Sequence, residues 1–273
     1  LIGNAGVNTL IGANGNDYLD GGAGDDIIKG GAGNDMYVID STGDVIDEQG
    51  NLDSSDAVSI SFSVNLSILA NGAVENAYAQ SGFAISLTGN NAANILVGNA
   101  EANAISGGGG NDTIIGCGGL DTLEGYEGDD RLVLSSIYDV MADGGTGNDT
   151  LQLAGAPEFD FTLISSATIK GFETIDLSGG GQGKLILSAQ DVADLSDTSS
   201  TLYITGDSGD SVTFNNLATL TGTSIVGSVT YSKYAYGAST VFVEADVSAY
   251  SKASSMPTSQ LRIDLLNDQY AFG

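Results

Sequence analysis

An Asp returns every ninth residue, with an apolar residue two places after it, and this register constrains the chain more than any other feature. From Gly12 the sequence reads GANGNDYLD, GGAGDDIIK and GGAGNDMYV. From Gly98 it resumes as GNAEANAIS, GGGGNDTII, GCGGLDTLE and GYEGDDRLV, and one more copy, GGTGNDTLQ, spans Gly144 to Gln152. The sixth place holds Asp17, Asp26, Asp35, Asp112, Asp121, Asp130 and Asp149. The eighth holds Leu19, Ile28, Tyr37, Ile105, Ile114, Leu123, Leu132 and Leu151. Units this short cannot bury a face alone and must stack on one another. The register outlasts the glycines. Nine on from Asp35 stands Asp44, followed by Ile46, and nine on from Asp130 stands Asp139 in LSSIYDVMA; Asp143 then shifts the frame. Nine back from Asp112 stand Asn103 and Asn94, and nine back from Asp17 stands Asn8. Asn keeps an oxygen ligand or closes a turn but lacks the charge. These flanks are expected to keep the coil and to bind metal weakly or not at all.

The spacing itself points to calcium. The first six residues of a block are expected to form a Gly-rich turn and the last three a short strand. Glycine permits positive φ, which turns backbone carbonyls toward one point. The eighth residue points inward, and its neighbours face outward. Two blocks make a coil, so residues eighteen apart sit one coil apart, about 4.8 Å along the axis. Asp17 and Asp35 stand in that relation, as do Asp26 and Asp44, Asp112 and Asp130, and Asp121 and Asp139. Paired carboxylates repel unless a cation lies between them. Ca²⁺ takes six or more oxygens at about 2.3–2.6 Å, which carboxylates and loop carbonyls can supply. Taken singly, an Asp in such a turn is an ordinary turn residue; seven in one register reverse that reading. The expected metal ligands are Asp17, Asp26, Asp35, Asp44, Asp112, Asp121, Asp130, Asp139 and Asp149. Backbone carbonyls are expected from Gly12, Gly15, Gly21, Gly24, Gly30, Gly33, Gly107, Gly110, Gly116, Gly119, Gly125, Gly128, Gly144 and Gly147. Asp25 and Asp129, in the fifth place, are expected to face solvent and add only charge.

These residues carry a resemblance. The consensus G-G-x-G-x-D-x-U-x resembles the repeats-in-toxin (RTX) family of calcium-binding nonapeptide repeats, which implies a parallel β-roll holding several Ca²⁺ ions. The stretch from DVIDEQGN to LVGNAEAN resembles the spacer between repeat blocks of large RTX proteins. The stretch TIKGFETIDLSGGGQGKLILSAQDVADLS, running on through GDSGDSV, resembles the β-rich module that follows the last repeat in RTX adhesins. Together these cover roughly residues 1 to 247. The fold class implied is all-β: β-solenoid blocks at 1–40 and 89–152, a strand-rich spacer at 41–88 continuing the solenoid, a C-terminal β module at 153–247 and a tail at 248–273. In the module, strands are expected near FDFTLI, ETIDLS, KLILS, TLYITG, SVTF, VTYSKYAYG and TVFVEAD. Ser188 with Asp191 reads as a capping box opening one helix, and the tail near Gln260–Asn267 reads as helical. The chain starts mid-repeat and without Met, so it is expected to be part of a longer protein. The resemblance further implies type I secretion from a Gram-negative cell, without a cleaved leader, to the exterior or the cell surface.

Composition now decides between function classes. Seven Lys+Arg against thirty-five Asp+Glu give a net charge of −28, yet 41% of residues are hydrophobic, so this is no disordered acidic tail. Something must neutralise the carboxylates on folding, and a hard divalent cation is the simplest candidate. Without His and with one Cys, neither a His/Cys zinc site nor a Ser-His-Asp or Cys-His nucleophile can be assembled. The charge argues against nucleic acid and anionic membrane surfaces, and no apolar run approaches the roughly 18 residues of a membrane span. Cys117, in the place of a second Gly, reads as a passive loop thiol. Asp207 and Asp210 in GDSGDSV fit either a separate ion or, by preference, a tight turn. The acid pairs all belong to the ladder and no Trp is present to stack on a sugar, so no enzymatic activity is expected. The expected function is a calcium-binding structural region of a secreted surface protein, adhesin or S-layer-like, that self-assembles into an array or binds a cell-surface ligand. The alternative is the secretion and folding tail of an RTX enzyme or toxin whose active domain lies elsewhere.

Overall fold

Inward-pointing residues at the eighth position decide the architecture. Leu19, Ile28, Tyr37, Ile114, Leu123, Leu132 and Leu151 are each 0% exposed, and Ile105 is nearly so. Along Met36–Ile39 and Arg131–Leu134 burial alternates with the period of two that places one face of a strand inside. The fold is all-β, a parallel β-roll. The computed structural model describes residues 1–48, 55–80, 82–137, 141–155, 158–164, 168–196 and 200–252. Asp139 and the segment near Gln260–Asn267 lie outside the described residues. The chain divides into two compact units, Leu1–Arg131 and Leu132–Gly273.

In the first unit, parallel pairing sets successive repeats on alternating walls. Thr9–Asn14 pairs with Ile27–Ala32, Thr9 opposite Ile27, while Tyr18–Asp20 pairs with Met36–Ile39, Tyr18 opposite Met36. The eighteen-residue coil follows from those registers. Beyond Ile39 the coil lengthens: Met36 stands opposite Ala57, Ala57 opposite Asn76, and Asn76 opposite Ile95. It then returns to eighteen, with Ile95 opposite Thr113 and Ala104 opposite Thr122. The expected division into six turn and three strand residues holds on one wall, where Thr113–Ile115 is short. On the other it does not. Ala104–Gly109 and Thr122–Glu127 run into the following repeat, because its first residues still pair, Gly108 opposite Tyr126.

The second unit keeps the parallel plan with longer coils. Thr150 stands opposite Thr174, Thr174 opposite Tyr203, and Tyr203 opposite Phe242. A second wall is built from Phe159–Asp160, Lys184–Leu187, Ser211–Phe214 and Ser248–Ser251. The added length is spent on two insertions. One is the helix Ala189–Leu195, opened by the Ser188–Asp191 capping box and burying Val192 and Leu195. The other is an antiparallel hairpin in which Thr219–Val226 pairs with Val229–Tyr236. Phe214 packs against Tyr234 and Tyr236, ring centroids 5.4 and 4.8 Å away. The FDFTLI segment is a strand only at Phe159–Asp160. Asp160 Oδ1 accepts from the Thr162 backbone at 3.1 Å and caps a 3₁₀ turn over Phe161–Leu163.

Candidate calcium ladder

The turns are built by backbone conformation that only glycine adopts without strain. In the second repeat Gly22 and Gly24 hold φ of +79° and +124°. At the equivalent of Gly22, Cys117 is forced to +75°, a conformation costly for a residue with a Cβ. Burial pushes its thiol up, and the charge of Asp121 adds to the shift, which keeps the sulfur protonated and a poor nucleophile.

Asp26, Asp35, Asp112 and Asp121 divide their two oxygens between two tasks. Oδ1 accepts a backbone N–H from one coil earlier: Asn8 donates to Asp26 at 2.7 Å, Asp17 to Asp35 at 2.8 Å, and Asp26 to Asp44 at 2.9 Å. In the second block Asn94 donates to Asp112 at 2.8 Å, Asn103 to Asp121 at 2.9 Å, and Asp112 to Asp130 at 2.7 Å. Oδ2 turns toward the first glycine of its own repeat. A methyl group on Gly12 would lie 2.5 Å from Asp17 Oδ2 and 2.8 Å from the Gly30 carbonyl oxygen. On Gly107 it would collide with Asp112 Oδ2 and lie 2.8 Å from the Gly125 carbonyl oxygen. A carboxylate oxygen and a carbonyl oxygen from the next coil therefore converge beside a glycine kept bare.

Several of the converging carboxylate oxygens lack hydrogen-bond donors. Oδ2 of Asp17, Asp26 and Asp112 is buried and accepts no hydrogen bond. Such atoms are rare in folded proteins and demand an explanation. Burial pushes the Asp112 carboxyl up to about 7; the Asn94 N–H opposes that shift and the charge of Asp130 reinforces it. Burial likewise raises Asp121 and Asp130. An all-oxygen donor set with buried negative charge fits a hard cation such as Ca²⁺. Asp17, Asp26, Asp35, Asp112, Asp121 and Asp130, with the glycine carbonyls Gly30 and Gly125, are the groups that would hold it. Bound calcium supplies the positive charge that lets these carboxylates stay ionised inside a folded coil.

The remaining expected ligands are placed as follows. Asp44 is half-buried, and its Oδ2 accepts from Asp40 and Ser41 at 3.1 Å, so that oxygen closes a local turn while Oδ1 holds the Asp26 N–H. Asp149 is buried and its N–H donates to Glu173 Oε2 at 2.9 Å. The fourth-position carbonyls of Gly15 and Gly110 face Gly33 and Gly128 one coil on. Asp25 and Asp129 are exposed, and Asp25 accepts from Ser41 Oγ at 2.9 Å. Asp210 is a turn residue: its oxygens accept from Gly183 at 2.7 Å and Asp207 at 2.6 Å.

Counting by nine missed part of the ladder. Asp35 donates its N–H to Asp56 at 2.7 Å, and Asp56 to Glu75 at 2.9 Å, so the same capping pattern continues through longer coils. Matching strands instead of counting residues finds Asp56, since Asp56-Ala57-Val58 repeats the pattern of Asp35-Met36-Tyr37. Glu173, ahead of Thr174-Ile175, follows the same rule.

The family model of the RTX calcium-binding nonapeptide repeat matches residues 2–37, 88–123 and 118–136, in four copies. These stretches are RTX calcium-binding repeats, and the chain includes a calcium-binding repeat region of the RTX type. No curated protein matches the chain. No helix among the described residues is long and apolar enough to cross a membrane.

Proposed function

We propose that this chain is a non-catalytic, calcium-stiffened structural region of a secreted or cell-surface protein, of adhesin or S-layer type. The observation that carries the reading is the repeated convergence of an Asp Oδ2 and a next-coil carbonyl on a bare glycine. Extracellular calcium modules work at Kd of about 10⁻⁴–10⁻³ M. Sites in that range stay unfilled in a cytosol and fill outside the cell. Folding is thereby postponed until after export, and calcium takes the place of the disulfides that a chain with one Cys cannot form. Several ions set along the coil would stiffen it, which suits a region that holds other parts of a surface protein in place.

Adding millimolar Ca²⁺ to the chelated protein is expected to raise the β signal in circular dichroism and to protect residues 12–46 and 107–131 from proteolysis. Mg²⁺ is expected to substitute poorly, because it favours rigid octahedral sites and retains its water. An unchanged spectrum would refute the reading. Electron microscopy of cell envelopes separates lattice from adhesin: a regular two-dimensional array assigns the S-layer role, and its absence with binding to a cell surface assigns the adhesin.

A further inference from the structure

One carboxylate has been carried into the coil interior without belonging to the repeat register. Tyr37 occupies an eighth, inward position and is fully buried. Its hydroxyl donates to Glu48 Oε1, drawing that side chain in. Glu48 is 3% exposed, and its Oε2 is buried and accepts no hydrogen bond. Neighbouring Asp47 turns the other way, to an ion pair with Lys29 at 2.7 Å. The interior position of Glu48 thus leaves half of an anionic group without a donor, a costly arrangement unless a cation meets it.

Two further carboxylates face the same point. Asp35 is 2% and Asp56 0% exposed. Ligand oxygens of Asp35, Glu48 and Asp56 all lie within 4.8 Å of one another. Oxygens bound to one calcium at about 2.3–2.6 Å stand no more than about 5 Å apart, so the three can share an ion. We propose that Asp35, Glu48 and Asp56 form an additional divalent-cation site, taking calcium, with Glu48 as the ligand that the nonapeptides do not supply. The proposal depends on the ladder reading only through Asp35, since Glu48 and Asp56 fall outside the nine-residue count.

The donor set is three carboxylates with a phenol hydrogen-bonded to one of them. Hard oxygen ligands select calcium over the softer transition metals. Glu75, whose Oε2 accepts the Asp56 N–H, adds negative charge nearby. The site ties the segment after Ile46 to the strand Ala57–Ile60, where the coil first departs from eighteen residues. A cation there would hold the lengthened coil closed.

The test uses the full chain and terbium(III) as a luminescent stand-in for calcium, excited through tyrosine, since the chain contains no Trp. Glu48→Gln keeps the side-chain shape and removes the charge. It is expected to lower the calcium stoichiometry by one ion in equilibrium dialysis and to reduce tyrosine-sensitised emission. Tyr37→Phe, which leaves all three carboxylates in place, is expected to reduce the emission while keeping the stoichiometry. Asp112→Asn, in the other repeat block, is expected to leave the Tyr37-dependent emission intact. Stoichiometry and emission unchanged in Glu48→Gln would overturn the proposal and assign Glu48 a protonated, metal-free role. If the parent chain binds no calcium at all, the ladder itself fails, a result distinct from the first.

Discussion

At the scale of the residue, ladder Asp residues such as Asp26 and Asp112 offer one oxygen to a hydrogen bond and leave the other without a donor, and the two tasks respond differently to pH. Burial raises the Asp112 carboxyl to about 7, and Glu48, buried beside Asp56 and Asp35, also reaches about 7 despite the Tyr37 hydroxyl. A carboxyl raised on folding makes the metal-free fold bind more protons than the unfolded chain, whose carboxyls titrate near about 4. The contribution of these two carboxyls to metal-free stability is therefore fully present below about pH 4 and is lost as pH rises through about 7. Calcium binding has the opposite sense: it displaces those protons and strengthens as pH rises. Asp112→Asn separates the tasks, because Asn can still accept the Asn94 N–H through Oδ1 but carries no charge. The variant is expected to weaken calcium binding by about 10–100-fold, at least the loss seen for outer-shell partners. In chelator it is expected to be more stable than the parent at pH 8 and equal to it at pH 4. Denaturant titrations at the two pH values check this, and a parent whose metal-free stability rises from pH 4 to pH 8 would contradict the sign.

At the scale of the element, the chain contains turns that solve the same problem without an ion. GNAGVN, GNNAAN and GNAEAN open the two repeat blocks with Asn where the later repeats place Asp. Their amide hydrogens go to loop carbonyls: Asn90 Nδ2 donates to Val74 at 3.1 Å, Asn99 Nδ2 to Gln80 at 2.8 Å and Phe83 at 2.9 Å. Asn103 Nδ2 donates to Asn99 at 3.0 Å and Glu101 at 2.6 Å. At Gly89 and Gly98 the side chain beside the next-coil carbonyl of Gly107 or Gly116 is the neutral amide of Asn94 or Asn103, so these turns enclose no carboxylate charge. These coils are expected to fold without calcium and to template the repeats that follow. Hydrogen exchange in chelator is expected to show protected amides over 89–106 and rapid exchange over 107–131, with calcium slowing only the latter; uniform exchange across both would remove the distinction. Much of this level was legible in the sequence. The nine-residue count located the Asp turns and the inward stripe, because glycine and burial impose the same period. It lost the ladder where coils lengthen, at Asp56, Glu75 and Glu173, since a count by nine cannot follow coils of other lengths. Glu48 had no periodic signal at all, because its place is set by Tyr37 across the coil interior and not by the repeat.

At the scale of the whole molecule, the net charge of −28 weighs unequally on the two units. Leu1–Arg131 contains the ladder Asp residues from Asp17 to Asp130, among them Asp17, Asp26 and Asp112, each with a buried oxygen that accepts no hydrogen bond. Leu132–Gly273 is held by ordinary means. Its core includes Phe159, Phe172, Leu185, Phe214, Tyr234 and Tyr236; its helix is capped; and Asp210, its most deeply buried acid, has both oxygens engaged by backbone N–H groups. Burial of such aromatic and aliphatic side chains contributes about 1.5–3 kcal/mol each and does not depend on metal. The two units are therefore expected to melt separately. In chelator, calorimetry of the full chain is expected to show a transition from the second unit at a temperature indifferent to calcium, with the first unit unfolded or melting well below it. A ligand present at a hundred times its Kd stabilises the folded form by about 2.7 kcal/mol per independent site, so several filled sites are expected to move the first unit's transition upward by tens of degrees. Proteolysis during the scan assigns each transition, since cleavage within 12–46 and 107–131 should track the calcium-sensitive one. A single transition that shifts as a whole with calcium would show that the two units fold as one body and that the charge of the ladder is borne by the entire chain.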